Sequence, residues 1–258
     1  MTGKHSTENP QARDPQTESL LLLHGWGMNA AVWQPVVQQL ESRWKVHCVN
    51  LPGHGGRHYD WCGATFNDWL QDILEQAPPR AVWLGWSLGG LFALAAAARY
   101  PRRVQRLILV ATTPKFIASP DWITAGDPAV WRQFAVNLQN NPDMTNDQFL
   151  LTQSLGADKP RQLARKLKQL QQAGGAADHR ALMDGLDILQ TGDLRTELQQ
   201  ISCPVHWLLG EGDQLVPSNV CQDLVALKDS CDIHVLPDAG HALFISQTDR
   251  FLEVVCRP

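Results

Sequence analysis

A serine between two glycines is the residue of this chain best placed to act as a nucleophile. Ser87 stands between Gly85 and Gly89 in the octet WLGWSLGG, which spans residues 83–90. The run before the octet is apolar and the run after it is rich in alanine, so the pattern predicts a buried strand, a tight turn and a helix. Such a strained turn, the nucleophile elbow, lifts a serine Oγ out of the sheet. The alternative is a serine that only caps an ordinary strand–helix turn.

A serine hydroxyl needs a base to react at neutral pH, normally a histidine held by a carboxylate. His241 follows the predicted strand DIHVL and therefore lies at its carboxyl end, where sites form in parallel sheets. Asp213 follows the preceding predicted strand, VHWLL, at the same edge. We prefer it to Glu211 because it lies farther beyond its strand, and to Asp238, which is only three residues before His241. The alternative for His241 is a solvated loop histidine.

Two backbone N–H groups are candidates for stabilising the negative charge that develops on a carbonyl oxygen under attack. The N–H of Leu88 follows Ser87 directly, at the start of a predicted helix. The loop at residues 24–27 (HGWG) ends the first predicted strand, and its glycines let the backbone approach a substrate. We therefore expect the second donor of this oxyanion hole to be the N–H of Trp26. His24 is interpreted as a brace for the loop rather than as a base.

Strands that alternate with helices position these residues. Six strands are predicted by apolar runs at residues 20–23, 45–51, 81–86, 104–111, 205–209 and 232–236, and helices by the stretches 30–40, 67–76, 88–100 and 248–256. Because the runs are continuous rather than alternating, we expect an α/β fold with a mostly parallel sheet flanked by helices. Residues 114–190 show only helical patterns, which predicts an inserted helical cap, or lid. The core would then comprise residues 19–113 and 191–258, after a disordered lead-in at 1–18.

The composition is that of an ordinary globular protein. Hydrophobic residues make up 44% and charged residues 19% of the 258 residues, and the net charge of -4 gives no indication of nucleic-acid binding. The six cysteines are scattered without metal-type spacing, so we expect reduced thiols and no metal site. The polar N-terminal stretch has no apolar segment of the kind found in secretion signals, and no run approaches the roughly 18 apolar residues of a membrane helix. We therefore expect a cytoplasmic monomer with no membrane contact.

The order Ser87, Asp213, His241 is that of the α/β-hydrolase superfamily, which the sequence resembles over nearly its whole length after residue 18. Four segments narrow the resemblance, namely LLLHGWGMNAAVW at 21–33, WLGWSLGGL at 83–91, GxxDxxVP at 210–217 and AGHALFIS at 239–246. Together they resemble the pimeloyl-[acyl-carrier protein] methyl ester esterases, the carboxylesterases of biotin synthesis. The resemblance implies a cofactor-free serine esterase that removes the methyl group from a pimeloyl chain on acyl carrier protein, through an acyl-enzyme on Ser87.

The resemblance also implies residues that bind the acyl chain. On this reading the acyl pocket is lined by Trp26, Trp86, Leu88 and Phe149. The alternative is that some of these side chains only pack the core, since the chain contains 10 tryptophans. The resemblance also implies two further arginines just before this phenylalanine, and the chain departs from it there, with other residues near Met144 and Gln148.

A basic stripe lies within the predicted cap. The segment KPRQLARKLK at 159–168 contains five basic residues and no acidic one. One face of the predicted helix carries Leu163, Leu167 and Leu170, and the opposite face carries Arg161, Arg165 and Lys168. A basic, solvent-facing stripe suits an acidic protein partner, and the resemblance implies that this partner is acyl carrier protein. The alternative is a solvated charged face without a partner.

Other functions are alternatives to this one. A general short-chain carboxylesterase or a lactonase would use the same three residues without a carrier protein. A non-catalytic receptor or scaffold with a hydrolase fold usually loses a member of the triad, and none is missing here. Dehalogenases and epoxide hydrolases are disfavoured because they place an aspartate at the elbow, where this chain has Ser87.

Overall fold

A sheet of six parallel strands forms the centre of the protein in a computed structural model, which describes residues 18–257. The strands are β1 (Ser19–Leu23), β2 (Lys45–Val49), β3 (Ala81–Trp86), β4 (Val104–Val110), β5 (Val205–Gly210) and β6 (Cys231–Leu236). Their order across the sheet is β2-β1-β3-β4-β5-β6, and every neighbouring pair is parallel. The carboxyl ends of all six strands therefore meet at one edge.

Eleven α-helices accompany the strands in the described part of the chain, and several of them flank the sheet on both faces. They are α1 (Gln34–Glu41), α2 (Phe66–Gln76), α3 (Leu88–Arg99), α4 (Pro128–Asn140), α5 (Pro142–Ser154), α6 (Pro160–Gly174), α7 (His179–Thr191), α8 (Arg195–Gln200), α9 (Val220–Leu227), α10 (Leu243–Ser246) and α11 (Thr248–Val255). The prediction of an α/β fold with a parallel sheet between helices is confirmed. Among residues 18–257, no helix is both long enough and apolar enough to span a bilayer. The predicted disordered lead-in lies, except for Glu18, outside the described residues.

Two apolar clusters, one on each face of the sheet, hold the layers together. Side chains alternate along a strand, so β1 contributes Leu21 and Leu23 to one cluster and Leu20 and Leu22 to the other. Helices α2 and α3 pack into the first cluster, and α1 and α11 into the second. The alanine-rich α3 is buried along most of its length, because its small side chains let it lie close to the sheet.

Five helices, α4 to α8, occupy the connection between β4 and β5, and the first four of them make up the predicted cap. The described residues of this stretch form no strand beyond two isolated bridges between residues 117 and 126. Asp127 and Asp178 begin α4 and α7 as N-caps, since their carboxylates accept the N–H groups of Ala129 and Arg180. The stretch is therefore helical, and its action as a lid at residues 114–190 stays a prediction.

A few elements differ in detail from the pattern of the sequence. Strand β2 ends at Val49 instead of residue 51, because the N–H of Leu51 donates to His24 Nε2 (3.0 Å) and not to a neighbouring strand. Helices α8, α9 and α10 are not predicted by any pattern in the sequence. The last of these spans only Leu243–Ser246, which is too short to display a helical period.

Candidate active site

The turn between β3 and α3 holds Ser87 in a strained conformation. Its φ of 54° and ψ of -120° lie in a region that side-chain-bearing residues rarely adopt. The Ser87 N–H donates to the carbonyl of Val110 (2.9 Å), and its own carbonyl accepts from Thr112 Oγ1 (2.8 Å). A side chain at Gly89 would place its Cβ 2.5 Å from the carbonyl oxygen of Leu23. The strand and helix can therefore approach this closely only with glycine there, as the elbow pattern predicts.

An acid–base pair lies at the same edge of the sheet, on the loops after β5 and β6. His241 Nδ1 and Asp213 Oδ2 are 2.8 Å apart, and neither side chain is exposed. The other oxygen of Asp213 accepts the N–H groups of Leu215 (2.8 Å) and Val216 (3.1 Å). Because Oδ1 is occupied by these two N–H groups, Oδ2 is the atom that contacts the imidazole. The contact orients His241 with its Nδ1–H as the donor. The Nε2 atom is then free to accept a proton, and it is buried with no hydrogen-bond partner among the described residues.

The two other carboxylates considered for the acid do not contact His241. Glu211 and Asp238 are both exposed at the surface. Asp238 occupies a turn position with a φ of 55°, and its carbonyl accepts a hydrogen bond from Gln247. Among the three candidates, only Asp213 is buried against the histidine.

Trp86 links the elbow to the histidine loop. Its indole Nε1 donates to the backbone carbonyl of His241 (2.9 Å), and the two rings lie 5.6 Å apart between centroids. The indole is fully buried and packs edge-on against Phe244 at 5.0 Å. Because Trp86 directly precedes Ser87, this contact brings the imidazole beside the elbow. No hydrogen bond joins Ser87 Oγ to His241 Nε2 in the described structure.

The HGWG loop packs directly on the elbow. A Cβ at Gly25 would lie 3.1 Å from Ser87 Cβ, and Gly27 adopts a positive φ of 69° that glycine tolerates best. The backbone N–H groups of Trp26 and Leu88 donate to no group among the described residues. Two free donors therefore lie on segments next to Ser87, as an oxyanion hole requires.

His24 holds the HGWG loop in place through two hydrogen bonds. Its Nε2 accepts the N–H of Leu51 (3.0 Å), so Nδ1 carries the proton and donates to the carbonyl of Gly25 (2.8 Å). Burial holds the pKa of His24 well below its usual value, and the neighbouring His54 ring, 5.3 Å away, lowers it further. The imidazole is thus neutral and fully engaged. These contacts suit the bracing role expected from the sequence and leave no nitrogen for a base.

The predicted acyl-pocket residues fall into two groups. Trp26, Leu88 and Phe149 belong to the same apolar cluster, and the rings of Trp26 and Phe149 meet edge-on at 5.0 Å. Trp86 belongs instead to the cluster on the other face of the sheet, where it packs behind His241. Phe134 of α4, which the sequence analysis does not identify, completes the first group at 5.4 Å from Trp26. No motif marks Phe134, because only the folding of α4 over the loop brings it there.

Two side-chain amides tie the helical insertion to the HGWG loop. Gln171 Nε2 of α6 donates to the carbonyl of Gly27 (2.5 Å), and Asn146 of α5 donates to Gln171 Oε1 (3.0 Å). A groove of about 430 Å³ opens beside these contacts, lined in part by Gly27, Asn146, Gln171 and Leu182. This pair is not predictable from the sequence, since isolated amides at distant positions form no recognisable pattern.

The basic stripe lies on the exposed face of α6. Arg161, Arg165 and Lys168 are exposed, whereas Leu163, Leu167 and Leu170 are buried. Lys168 forms an ion pair with Asp147 (2.6 Å), and no ion pair in the described structure involves Arg161 or Arg165. The three basic residues border a groove of about 400 Å³, whose apolar wall includes Leu150 and Leu151 of α5.

Comparison with known proteins agrees with this geometry. The family described as alpha/beta hydrolase fold matches residues 18–248. A pimeloyl-[acyl-carrier protein] methyl ester esterase of Aliivibrio salmonicida is 40% identical over 90% of this chain and 88% of its own length. One of Pectobacterium atrosepticum is 43% identical over 92% of both chains.

Solved structures of similar shape include two hydrolases of lower sequence identity. An esterase from Exiguobacterium antarcticum superposes with a TM-score of 0.82 at 19% identity, covering 93% of this chain and 91% of its own. An enol-lactonase from Burkholderia xenovorans superposes with a TM-score of 0.80 at 23% identity, covering 92% and 89%. At such identities the likeness concerns the fold alone.

Proposed function

Because the chain belongs to the alpha/beta hydrolase family and, within it, to the pimeloyl-[acyl-carrier protein] methyl ester esterases, we propose that Ser87, Asp213 and His241 form its catalytic triad. The chain is a carboxylic ester hydrolase. The observation that carries the proposal is the buried 2.8 Å contact between His241 Nδ1 and Asp213 Oδ2, which leaves Nε2 unpartnered beside the elbow. The proposed reaction releases methanol from the methyl ester of pimeloyl-[acyl-carrier protein], a step of biotin synthesis.

The acylation half-reaction begins at the elbow. Ser87 Oγ attacks the ester carbonyl while His241 Nε2 accepts its proton, and the buried carboxylate of Asp213 stabilises the imidazolium that results. The oxyanion of the tetrahedral intermediate accepts hydrogen bonds from the N–H groups of Trp26 and Leu88. One such donor contributes about 2.7–4 kcal/mol to lowering a barrier of this kind. The intermediate collapses as Nε2 returns the proton to the leaving methoxide, which departs as methanol.

Deacylation repeats the sequence with water. His241 Nε2 takes a proton from the water as its oxygen attacks the acyl-enzyme, and the same two N–H groups receive the second oxyanion. The C–O bond to Ser87 then breaks, Oγ regains its proton from Nε2, and the free carboxyl group is released. Water is consumed in this half-reaction, and the proton transfers use only Ser87 and His241.

Trp26, Leu88 and Phe149 support the proposal of an apolar acyl pocket, with Phe134 as an added member. Trp26 of the HGWG loop shares an apolar cluster with Leu88 and Phe149. Helix α7 contacts this loop, because Trp26 Nε1 donates to the Leu182 carbonyl (2.8 Å). Trp86 has a different part in this proposal. Its hydrogen bond to the His241 carbonyl makes it a positioning residue for the base, behind the pocket.

The groove along α6 supports a protein partner. Arg161 and Arg165 are exposed cations beside an apolar trough, and such a surface attracts an acidic partner while the trough adds contact area. We assign this face to acyl carrier protein, with Lys168 at its end. We further propose that the enzyme works as a monomer in the cytoplasm, which suits its six free thiols, and that residues 114–190 act as its lid.

Turnover of a carrier-bound ester tests the function. The purified chain is expected to release methanol from pimeloyl-[acyl-carrier protein] methyl ester, and Ser87→Ala to lose both this activity and labelling by a fluorophosphonate. Expression of the chain should also restore growth of a biotin-requiring strain that lacks this esterase, with Ser87→Ala as the control. Unchanged turnover in Ser87→Ala would rule out the proposed nucleophile.

A charge reversal separates the carrier-dependent enzyme from a general carboxylesterase or lactonase. Arg161→Glu with Arg165→Glu is expected to lower kcat/KM for the carrier-bound ester roughly tenfold or more, while hydrolysis of a p-nitrophenyl ester stays unchanged. Arg80→Glu with Arg102→Glu is a matched control, because both arginines are exposed near the amino ends of β3 and β4, away from α6. Equal losses in the two double variants would contradict a docking face on α6.

A further inference from the structure

Two histidines and an aspartate converge on one face of the sheet, away from the candidate active site. His206 lies on β5, and Asp232 and His234 lie on β6. His206 is the register partner of Asp232, and residues two apart on a strand point to the same face. The three side chains are therefore brought together by the pairing of β5 with β6, in a strand order that leaves β6 at the end of the sheet.

Both imidazoles contact the same carboxylate. His206 Nδ1 is 3.2 Å and His234 Nε2 is 3.0 Å from Asp232 Oδ2. One ligand atom from each of the three residues lies within 4.8 Å of the other two. The histidine side chains are 17% and 19% exposed and the aspartate is 52% exposed, so the cluster is open to solvent on one side.

The donor atoms match a particular class of metal. Two neutral imidazole nitrogens with one carboxylate oxygen suit Zn²⁺ and its transition-metal neighbours, whereas Mg²⁺ and Ca²⁺ prefer oxygen ligands throughout. Zn²⁺ bonds to nitrogen and oxygen at about 2.0–2.2 Å, which puts tetrahedral ligand atoms about 3.4 Å apart. The present spacings need only small side-chain movements to reach that arrangement. We propose that His206, Asp232 and His234 bind one Zn²⁺ ion, with water as the fourth ligand.

The positive charge of a nearby arginine is expected to weaken metal binding at this site. Arg106 on β4 lies close to His206, and its guanidinium donates to the carbonyls of Arg257 (2.6 Å) and Val255 (3.0 Å). Burial lowers the pKa of His206, and the charge of Arg106 lowers it further. The same charge repels a bound metal ion, so the expected affinity is that of a partly exposed site of three ligands rather than of a closed structural zinc centre.

The place of the site in the fold indicates a structural role. His206 precedes Asp213 by seven residues along β5 and its loop, and the metal would lie well below the edge that carries the triad. A metal bridge here would fasten the end strand β6 to β5, and these two strands carry the loops of Asp213 and His241. Zn²⁺ is therefore expected to stabilise the fold without entering the reaction.

Calorimetric titration with ZnCl₂ tests the site on the full-length chain after EDTA treatment and removal of the chelator. We expect one saturable Zn²⁺ site per chain, no binding of MgCl₂, and a rise in Tm of roughly 5 °C at a hundredfold excess over Kd. His206→Asn, Asp232→Asn and His234→Asn should each weaken Zn²⁺ binding more than roughly tenfold and remove most of the rise in Tm. Hydrolysis of a p-nitrophenyl ester should stay unchanged in all three variants.

His58→Ala is the matched control. His58 Nε2 lies 2.8 Å from Asp60 Oδ1 in another exposed histidine–carboxylate pair, which has only two ligand groups. Zn²⁺ binding should survive this substitution. The proposal is overturned if wild type shows no saturable binding, if the binding persists in His206→Asn and His234→Asn, or if it is lost in His58→Ala. A variant that fails to fold is recognised by its circular dichroism, and the wild-type titration then still decides.

Discussion

Strands β5 and β6 carry two sets of histidine and aspartate that differ chiefly in their surroundings. At their carboxyl ends, His241 and Asp213 are buried at 2.8 Å, and backbone N–H groups hold the second carboxylate oxygen. Lower on the same strands, Asp232 is half exposed and takes both of its side-chain contacts at a single oxygen. The same chemical groups therefore form an oriented acid–base pair in one place and a solvent-exposed cluster in the other.

The comparison shows that a histidine is oriented by the burial of its aspartate partner and by backbone hydrogen bonds to that aspartate, and not by the residue types alone. Asp213 has its two oxygens committed to different partners, so the histidine can adopt only one tautomer without losing a hydrogen bond. Asp232 has no backbone donor among the described residues, and water can replace either histidine. Exposed groups of this kind contribute little to stability, whereas breaking a buried pair is costly.

The largest effect is expected where the buried pair is broken. Asp213→Asn keeps the size of the side chain but presents an amide N–H to His241, which favours the wrong tautomer. We expect kcat to fall on the order of 10⁴-fold, as for such substitutions in other serine hydrolases. Asp232→Asn is the matched change in the exposed cluster and should leave kcat unchanged. Equal losses of kcat in both variants would contradict the distinction between the two sets.

Buried imidazoles should also determine how stability depends on pH. Burial lowers the pKa of His54 to about 4, against the hydrogen bond with the Pro52 carbonyl, and Arg57 lowers it further. In the unfolded chain His54 therefore becomes protonated near pH 6.5, whereas in the folded chain it becomes protonated only near pH 4. The stabilising contribution is complete above pH 6.5 and is lost as the pH falls towards 4, which amounts to about 3 kcal/mol.

Urea unfolding across this pH range measures the effect. The free energy of unfolding of wild type should decline on acidification more steeply than that of His54→Gln, because the variant lacks this proton uptake. His24 should contribute a decline in the same direction in both proteins, since burial lowers its pKa too. Parallel curves for wild type and His54→Gln would show that protonation of His54 is not linked to unfolding.

A smaller effect is expected from the residue that holds the histidine loop. Trp86→Phe removes the hydrogen bond to the His241 carbonyl but retains an aromatic ring, and loss of one buried hydrogen bond corresponds to a fall in kcat of about tenfold. KM should change little, because the indole lies behind the pocket. Trp33→Phe is the control, since Trp33 packs on the same Phe244 ring at 4.5 Å and its Nε1 has no partner among the described residues. A rise in KM with kcat unchanged would instead assign Trp86 to the substrate.

The smallest effect is expected in the exposed cluster without metal. Asp232→Asn should change the free energy of unfolding by no more than about 0.5 kcal/mol in the presence of EDTA, because its contacts are solvent-exposed. Addition of Zn²⁺ should then separate the variant from wild type. Chemical denaturation of both proteins, with EDTA and with Zn²⁺, gives the four values required. A loss of several kcal/mol in EDTA would mean that the cluster is structural by itself.

Sequence patterns predict the order of the elements, the elbow at Ser87 and the edge at which His241 and Asp213 lie. These features are local, or follow from parallel strands having their carboxyl ends at one edge. The preference for Asp213 over Glu211 also came from position along the chain. The structure adds the physical reason. Glu211 is exposed to solvent, whereas the Asp213 carboxylate is buried and accepts hydrogen bonds from backbone N–H groups.

Other contacts depend on residues that lie far apart in the chain. Trp86 was expected in the acyl pocket, yet strand alternation directs it to the opposite face, where it meets the His241 carbonyl. Gln171 hydrogen-bonds the Gly27 carbonyl although the two residues are 144 positions apart in the sequence, and no periodic pattern predicts such a pair. Phe134 likewise reaches Trp26 only through the folding of α4.

The sequence alone thus determined the fold class, the turn at Ser87 and the chain order of the three proposed catalytic residues, because strand and helix periods and the small residues around a strained turn are local properties. Tertiary structure decided that Trp86 contacts the His241 carbonyl, and that His206, Asp232 and His234 share one face. These outcomes depend on strand register and on the direction of side chains across the sheet. Both are settled only when distant segments pack together.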